Sequence, residues 1–274
     1  MITFAVQKHF SVKIKAVVEA LERFAPLPLQ EDYDNAGLQV GLTEAWEVSG
    51  ALLCLDVTEK VLDEAVRLGC NLIVSHHPLI FHKLARVAGE DMVQRIVFKA
   101  IEKKIAIVSM HTNMDNAYGG VNFKMAEKMG LTDVGFISET KTVDGVEGAS
   151  GVVGTLPSPM TAADFIAMLK ETFHVACVQT NELLQRPIRK VALCGGAGSF
   201  MLGDAVKAGA DAFVTGEMHY HEFFDHEQQI QIAVIGHYQS EQFTNEIFKR
   251  IIEAECPEVR CYLSEINTNP IKYM

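Results

Sequence analysis

The sequence lacks the features that mark membrane, secreted and nucleic-acid-binding proteins. It has no run of about 18 apolar residues, so we expect no membrane-spanning helix. Residues 1–10 lack the long apolar core of a secretory signal peptide. A basic excess is also missing, because 24 Lys and Arg residues face 35 Asp and Glu residues and the formal net charge is −11. This charge argues against nucleic acid as a partner, since phosphate binding needs a basic face.

A Cys-x-x-Cys pair is absent as well. The six cysteines are spread over positions 54, 70, 177, 194, 256 and 261. Several lie in apolar runs, such as residues 51–55 and 191–194, which favours small buried side chains over disulfides or thiolate metal ligands. Without a disulfide framework, a reducing cytoplasm is the compartment we expect.

Short apolar segments alternate with amphipathic segments along most of the chain, which is long enough for one large or two medium domains. This alternation is typical of βα units and predicts an α/β fold with parallel or mixed sheets. Residues 132–151 are polar and weakly periodic, which predicts a linker or an exposed hairpin. The predicted strands are 37–40, 51–55, 71–75, 105–109, 152–155, 175–179, 191–194, 212–215, 232–235 and 259–263. The predicted helices are 11–24 (capped by Ser11), 59–68, 91–103, 119–129, 161–172, 200–208, 218–226 and 239–253.

Histidine is concentrated just after predicted strands. Six of the ten histidines lie in four polar clusters, which read SHHP (75–78), HTNMD (111–115), GEMHYH (216–221) and GHYQSE (236–241). Functional loops of α/β folds gather at the carboxyl ends of strands, so we expect these clusters to converge on one crevice. Imidazole and carboxylate together suit Zn²⁺, Fe²⁺ or Mn²⁺. The sequence therefore predicts a metal protein with more than one metal.

Each cluster also has an ordinary structural interpretation. His76 and His77 point in opposite directions on an extended chain, so they could serve two neighbouring metals, or one could be buried and the other exposed. Asp115, for which we expect a loop, could bridge two cations or cap the following helix. His237 and Glu241 could be a terminal and a bridging ligand, or Glu241 could only favour the helix dipole. Taken together, these five side chains suffice for a dinuclear site that activates water.

Three further groups have open roles. His111 could be a ligand, a neighbour of the ligands or a proton carrier. His219 and His221 could bind substrate or transfer protons at the rim of the crevice, or they could simply begin a surface helix. The turn CGGAGS at residues 194–199 could present backbone N–H groups to an anion, or its glycines could allow close helix packing.

Six segments in this order resemble the NGG-interacting-factor-like dinuclear metal-centre family. Its members are YbgI-like proteins that are often named GTP cyclohydrolase I type 2 homologues. The segments are residues 33–41, 75–78, 111–122, 194–199, 216–221 and 236–241. They span nearly the whole chain, so the resemblance does not depend on a single short pattern.

The resemblance implies two α/β domains with mixed sheets and a dinuclear metal site near their junction. The first domain would combine residues 1–130 with 232–274, and the second would hold 131–231. Residues 132–151 are too short for the domain inserted in some longer relatives. The resemblance also implies a homohexameric ring and two divalent ions, Zn, Fe or Mn. Its ligand positions are His76, His77, Asp115, His237 and the bridging Glu241, with His111 nearby.

Two functional hypotheses follow from this set of residues. The first is a metal-dependent hydrolase, of cyclohydrolase or phosphoesterase type, that acts on a nucleotide-like and possibly phosphorylated small molecule. Its catalytic proton carriers would be His111, His219 and His221. The second is a metal-trafficking or regulatory adaptor protein without turnover. The three additional histidines favour the hydrolase, because a site that only binds metal needs no proton carriers.

Overall fold

The computed structural model describes residues 12–272 and 274, and within them the chain folds as an α/β protein. The helices are α1 (Ile14–Phe24), α2 (Glu59–Leu68), α3 (Met92–Lys103), α4 (Thr112–Asn116), α5 (Val121–Lys128), α6 (Ala162–Phe173), α7 (Leu202–Lys207), α8 (His237–Glu241) and α9 (Thr244–Glu255). Short 3₁₀ turns cover Leu27–Leu29, Gly198–Met201 and Tyr220–Phe223. The strands are β1 (Gly37–Val40), β2 (Ala51–Cys54), β3 (Leu72–Ser75), β4 (Ala106–Ser109), β5 (Thr132–Phe136), β6 (Lys141–Val143), β7 (Val146–Gly148), β8 (Val152–Met160), β9 (Gln179–Thr180), β10 (Ile188–Cys194), β11 (Ala212–Thr215), β12 (Gln231–Val234) and β13 (Cys261–Leu263).

A five-stranded mixed sheet has the order β1-β4-β3-β2-β13. Strands β13, β2, β3 and β4 are parallel, and β1 is an antiparallel edge strand. Every residue of β2, β3 and β4 is buried, as expected for parallel strands that are covered on both faces. Because β13 comes from the last part of the chain, this sheet contains strands from both halves of the sequence.

A six-stranded mixed sheet has the order β5-β8-β10-β11-β12-β9, with β10, β11 and β12 parallel. The predicted α/β class with mixed sheets is therefore confirmed. The predicted boundary between residues 231 and 232 falls inside β12, and the pairing of Ala212 with Gln231 and of Thr215 with Val234 places that strand in this sheet. The division of the chain into two domains stays a prediction.

The segment of residues 132–151 is more regular than its sequence indicates. Strand β5 pairs with β8 in the large sheet, and only β6 and β7 form the expected separate hairpin. Asp133, at φ +52°, lies where the register of β5 shifts, and such an irregular strand has no clear period of two.

Capping signals identified several helices well. Thr58 and Asp91 cap α2 and α3 by accepting bonds from Val61 N–H and Gln94 N–H, and Gly69 ends α2 in the left-handed conformation. Four expectations were wrong in detail. A five-residue helix, α4, replaces the loop expected around Asp115, and residues 239–253 are divided between α8 and α9. Residues 218–226 contain only a 3₁₀ turn, and of the strand expected over residues 175–179 only Gln179 belongs to a strand, the two-residue β9. The Ser11 cap lies outside the described residues.

One apolar cluster connects the two large sheets. It contains Leu53 and Val74 from the first sheet together with Leu193 and Val214 from the second, all fully buried. Four of the six cysteines are buried, whereas Cys177 is exposed and Cys261 is half-buried. Over residues 12–272, no helix has the length and apolar character needed to cross a membrane.

Candidate metal centre

The carboxyl ends of the parallel strands bring the predicted ligands together. His76 and His77 follow β3, Asp115 lies in α4 after β4, and His237 and Glu241 begin and end α8 after β12. Within the described part of the chain, three groups of donor atoms each lie within 4.8 Å of one another. The groups are His76, His77 and His111; His77, His237 and Glu241; and His76, Asp115 and Glu241. All five predicted ligands and His111 therefore share one cluster.

Glu241 lies at the centre of this cluster. Its Oε2 atom is 3.0 Å from His77 Nε2 and 3.1 Å from His237 Nε2. Its Oε1 atom is 3.7 Å from His76 Nε2, which in turn is 3.5 Å from Asp115 Oδ1. The two oxygens of one carboxylate thus face two different sets of imidazoles, as a bridging ligand requires.

Three of the four imidazoles in the cluster are held by hydrogen bonds at Nδ1. His76 Nδ1 donates to the Met110 carbonyl at 2.9 Å, and His77 Nδ1 donates to Asp56 Oδ1 at 2.7 Å. His111 Nδ1 likewise bonds to Asp34 Oδ1 at 2.7 Å, whereas His237 Nδ1 has an ion-pair contact of 3.0 Å with Glu217 Oε1. Such partners fix the ring orientation and tautomer of metal-binding histidines, and they leave Nε2 as the metal donor.

His76 provides a test of whether the residues fit a metal. Its side chain is fully buried, and its Nε2 atom has no hydrogen-bond partner among the described residues. An unpaired polar atom in a protein interior costs free energy, so such atoms are rare without a specific reason. A cation bound by His76, Asp115 and Glu241 would satisfy it. Imidazole and carboxylate donors of this kind suit Zn²⁺, Fe²⁺ and Mn²⁺.

Burial and neighbouring charges shift the pKa values of the two carboxyl groups in the cluster in opposite directions. Burial raises the pKa of Asp115 well above its usual value, and the nearby charge of Glu241 raises it further. Burial also opposes ionisation of Glu241, but His76, His237 and His77 hold its pKa well below the usual range. Burial lowers the pKa of His76. A cation beside Asp115 would favour the ionised form of this carboxyl group, which burial and Glu241 disfavour.

We expect metal binding to release protons near neutral pH. Burial alone would lower the pKa of His77, but hydrogen bonds to Asp56 and Glu241 raise it from 6.5 to about 10. His77 is therefore protonated at neutral pH without metal and must lose its proton before Nε2 can bind a cation. Apparent affinity should rise roughly tenfold per pH unit from about pH 6 to about pH 8, and calorimetry in buffers of different ionisation enthalpy should detect the released proton.

The variant Asp56→Asn provides the comparison for this titration. It removes one of the two carboxylates that raise the pKa of His77 and leaves Glu241, so the dependence of metal affinity on pH should become weaker. An affinity that stays constant over this pH range in the wild-type protein would contradict the expectation.

Sequence reasoning missed the carboxylates that orient the imidazoles. Asp56 follows β2 at the same strand end where His76 follows β3, so its position was the available signal. Asp34 accepts bonds from His111 and from Thr112, and these bonds outweigh burial and lower its pKa to about 2. In the sequence, Asp34 belongs to a polar loop that indicates only a turn.

The glycine-rich turn at residues 194–199 packs against the cluster. The Gly195 N–H donates to Asn122 Oδ1 at 2.9 Å, and the Gly196 N–H donates to Ser240 Oγ at 3.0 Å. These two groups are therefore already used and are not open to an anion. Gly196 adopts φ +56°, and a Cβ atom there would overlap Glu241 Oε1. The close-packing interpretation of this turn is the one the contacts favour.

The candidate proton carriers lie in different places. His219 lines a cavity of about 300 Å³ together with Glu217 and His237. His111 lines a second cavity of about 210 Å³ together with Asp115 and Glu241. His221 is exposed, with its ring centroid 5.2 Å from that of Tyr220. Neither His219 nor His221 belongs to the donor groups found in the described residues.

The sequence pattern of the Duf34/NIF3 (NGG1p interacting factor 3) family matches residues 12–270. The chain belongs to this family. The chain is also 35% identical over 231 residues to a GTP cyclohydrolase 1 type 2 homolog of Clostridium perfringens, with 84% of this chain and 87% of the relative covered. A NIF3-like protein 1 of Drosophila melanogaster is 28% identical, with 94% and 88% covered.

Solved structures agree with membership of the NIF3 family. A hypothetical protein of Staphylococcus aureus has a TM-score of 0.87 and 28% identity, covering 96% of this chain and 100% of that one. A Bacillus cereus protein related to NIF3 has a TM-score of 0.85 at 24% identity, which shows the shared fold, with 96% and 99% covered. The family resemblance predicted from the six segments is therefore confirmed.

Proposed function

We propose that this NIF3-family protein is a metal-dependent hydrolase with two divalent ions, Zn, Fe or Mn, that acts on a nucleotide-like small molecule. The observation that carries the proposal is the position of Glu241, whose two oxygens face separate imidazole groups. One ion would be held by His77, His237 and Glu241, and the other by His76, Asp115 and Glu241, with His111 within reach of the histidine pair.

Two ions in such a site would acidify a water molecule and polarise a phosphoryl or carbonyl oxygen of the substrate. A substrate must also reach these ions. Two cavities that share His237 in their lining reach the cluster, and the smaller one is also lined by Asp115 and Glu241. Relatives named GTP cyclohydrolase 1 type 2 homologs support a nucleotide-like substrate and a hydrolysis of cyclohydrolase or phosphoesterase type.

Two histidines are placed to move protons. His111 is anchored to Asp34 through Nδ1, and its side chain is 16% exposed, so its other nitrogen remains accessible. His219 is exposed at the wall of the larger cavity, beside Glu217 and His237. A positioned imidazole that transfers a proton contributes about a hundredfold or more to a hydrolysis rate.

The variant His219→Asn tests this proposal. Protein loaded with Zn²⁺, Mn²⁺ or Fe²⁺ would be assayed against GTP, phosphodiesters and cyclic amides. We expect metal-dependent turnover whose kcat falls about a hundredfold in His219→Asn, while the metal content stays that of wild type.

His174→Asn is the matched control, because His174 is an exposed histidine in the left-handed position after α6, a conformation that Asn also tolerates. It should leave turnover and metal content unchanged. If no metal supports turnover of any substrate class, hydrolysis is contradicted and a protein that only binds or transfers metal becomes the better description.

A further inference from the structure

Three aromatic residues line the 210 Å³ cavity that reaches the candidate metal cluster. Tyr33, Phe81 and Phe200 line it and remain 66%, 43% and 60% exposed, although Asp115 and Glu241 lie in the same cavity. Large apolar rings left exposed beside a concave polar site are typical of ligand-binding surfaces. They offer flat faces to a molecule that reaches the cluster.

The loops that carry these rings are fixed to their surroundings. Asn35 Nδ2 donates to the Ile80 carbonyl at 2.6 Å, and the Ile80 N–H donates to Gln39 Oε1 at 3.1 Å. These bonds connect the loop of Tyr33 to the loop of Phe81. The Phe81 ring lies 6.3 Å from the His111 ring in an edge-on arrangement, so its position is set relative to the cluster.

Phe200 comes from a part of the sequence distant from Tyr33 and Phe81. It belongs to the 3₁₀ turn Gly198–Met201, where Ser199 Oγ donates to Glu222 Oε1 at 3.0 Å. The turn follows shortly after Gly195 and Gly196, whose N–H groups donate to Asn122 Oδ1 and Ser240 Oγ. Ring walls that are already in place lower the entropic cost of binding a flat ligand.

The described residues that line the cavity include no Lys or Arg side chain that could bind a phosphate group. The same lining includes Glu31, Asp115 and Glu241. The described lining of the adjoining 300 Å³ cavity has Glu217 and likewise no Lys or Arg. Phosphate groups are normally bound by such cations, which are missing from both walls.

We infer that the cavity recognises an uncharged planar heterocycle, such as a purine or a related cyclic amide, by stacking on Tyr33, Phe81 and Phe200. A phosphate carried by the substrate receives no cationic contact from these walls. The inference deepens the proposed function and rests on it, since it names the part of the substrate that the metal site would receive. Base-to-aromatic stacking tolerates different bases, because every base presents a flat face.

Equilibrium binding of guanosine and of inorganic triphosphate to the metal-loaded protein tests this inference without requiring turnover. We expect guanosine to bind, and we expect Phe200→Leu and Phe81→Leu each to weaken its binding about tenfold. Triphosphate binding, which depends on the metals alone, should be the same in wild type and in both variants. Phe98→Leu is the matched control, because Phe98 is 63% exposed on α3 and does not line the cavity.

Thermal unfolding and metal content establish that the variants are folded and loaded. Absent guanosine binding to the wild-type protein, or guanosine binding that both Leu variants leave unchanged, overturns the inference. The two proposals can fail independently. If the protein binds guanosine but hydrolyses no substrate, the stacking site is supported and the hydrolase is contradicted. If it hydrolyses simple phosphodiesters without binding guanosine, only the hydrolase is supported.

Discussion

Glu241→Gln should lose both of the proposed metal ions, because its single carboxylate faces both groups of candidate ligands. The carboxylate faces His76 with one oxygen and His77 and His237 with the other, so neutralising it weakens both groups together. Removing an orienting partner outside the ligands commonly costs tenfold to a hundredfold in metal affinity, so loss of a shared ligand should cost about a hundredfold or more for each ion. Elemental analysis of untagged protein after dialysis measures the metal content directly.

Glu253→Gln is the control for this loss. Glu253 is also on a helix after the site, but its side chain is 56% exposed and pairs only with Lys249 at 3.7 Å. This variant should retain the wild-type metal content. Two ions per chain in Glu241→Gln, with wild-type affinity, would mean that the carboxylate is not shared and would remove the main support for a dinuclear centre.

Gly196→Ala should also empty the centre, by steric displacement rather than loss of charge. The added methyl group would overlap Glu241 Oε1, and it would lie close to His237 Cε1 at 3.5 Å. Because Glu241 is buried, its carboxylate cannot move aside without leaving the imidazoles that it bridges. We expect a loss of metal affinity of about tenfold to a hundredfold, measured by competition with a chelator.

Gly209→Ala is the control that distinguishes the steric effect of the added methyl group from the effect of backbone strain. Gly209 has φ +69°, close to the φ +56° of Gly196, but a Cβ atom there meets nothing within 4 Å. Both variants should lose about 1 kcal/mol of unfolding free energy from the left-handed conformation. Only Gly196→Ala should lose metal, and equal metal affinities in the two variants would contradict the role given to the turn.

The clustering of the candidate ligands could be predicted because these residues combine two strong local signals. His76 and His77 follow an apolar strand directly, and His237 does the same after β12, so strand position and residue type agree. The partners of their Nδ1 atoms could not be found in this way. Asp34 and Asp56 lie 77 and 21 residues from the rings they orient, and an aspartate in a polar loop has the same local sequence whether or not it meets a histidine.

The elements that were predicted incorrectly share a physical cause. Helix α4 has five residues, which is too short to show a helical repeat of apolar positions, so its sequence resembles a loop. Strand β5 contains a register shift and partly exposed residues, and its pairing with β8 decides its conformation. Pairing with β11 places β12 in the six-stranded sheet, and this long-range contact cannot be read from the apolar sequence of β12 alone.

The proposed cations would join the same two sheets that the apolar cluster connects. His76, His77 and Asp115 come from the ends of one sheet, and His237 and Glu241 from the end of the other. An ion held by both sets of ligands would link the two sheets. Free metal at a hundred times the dissociation constant would then raise the free energy of unfolding by about 2.7 kcal/mol. The stability of this protein would then report how much metal its surroundings contain.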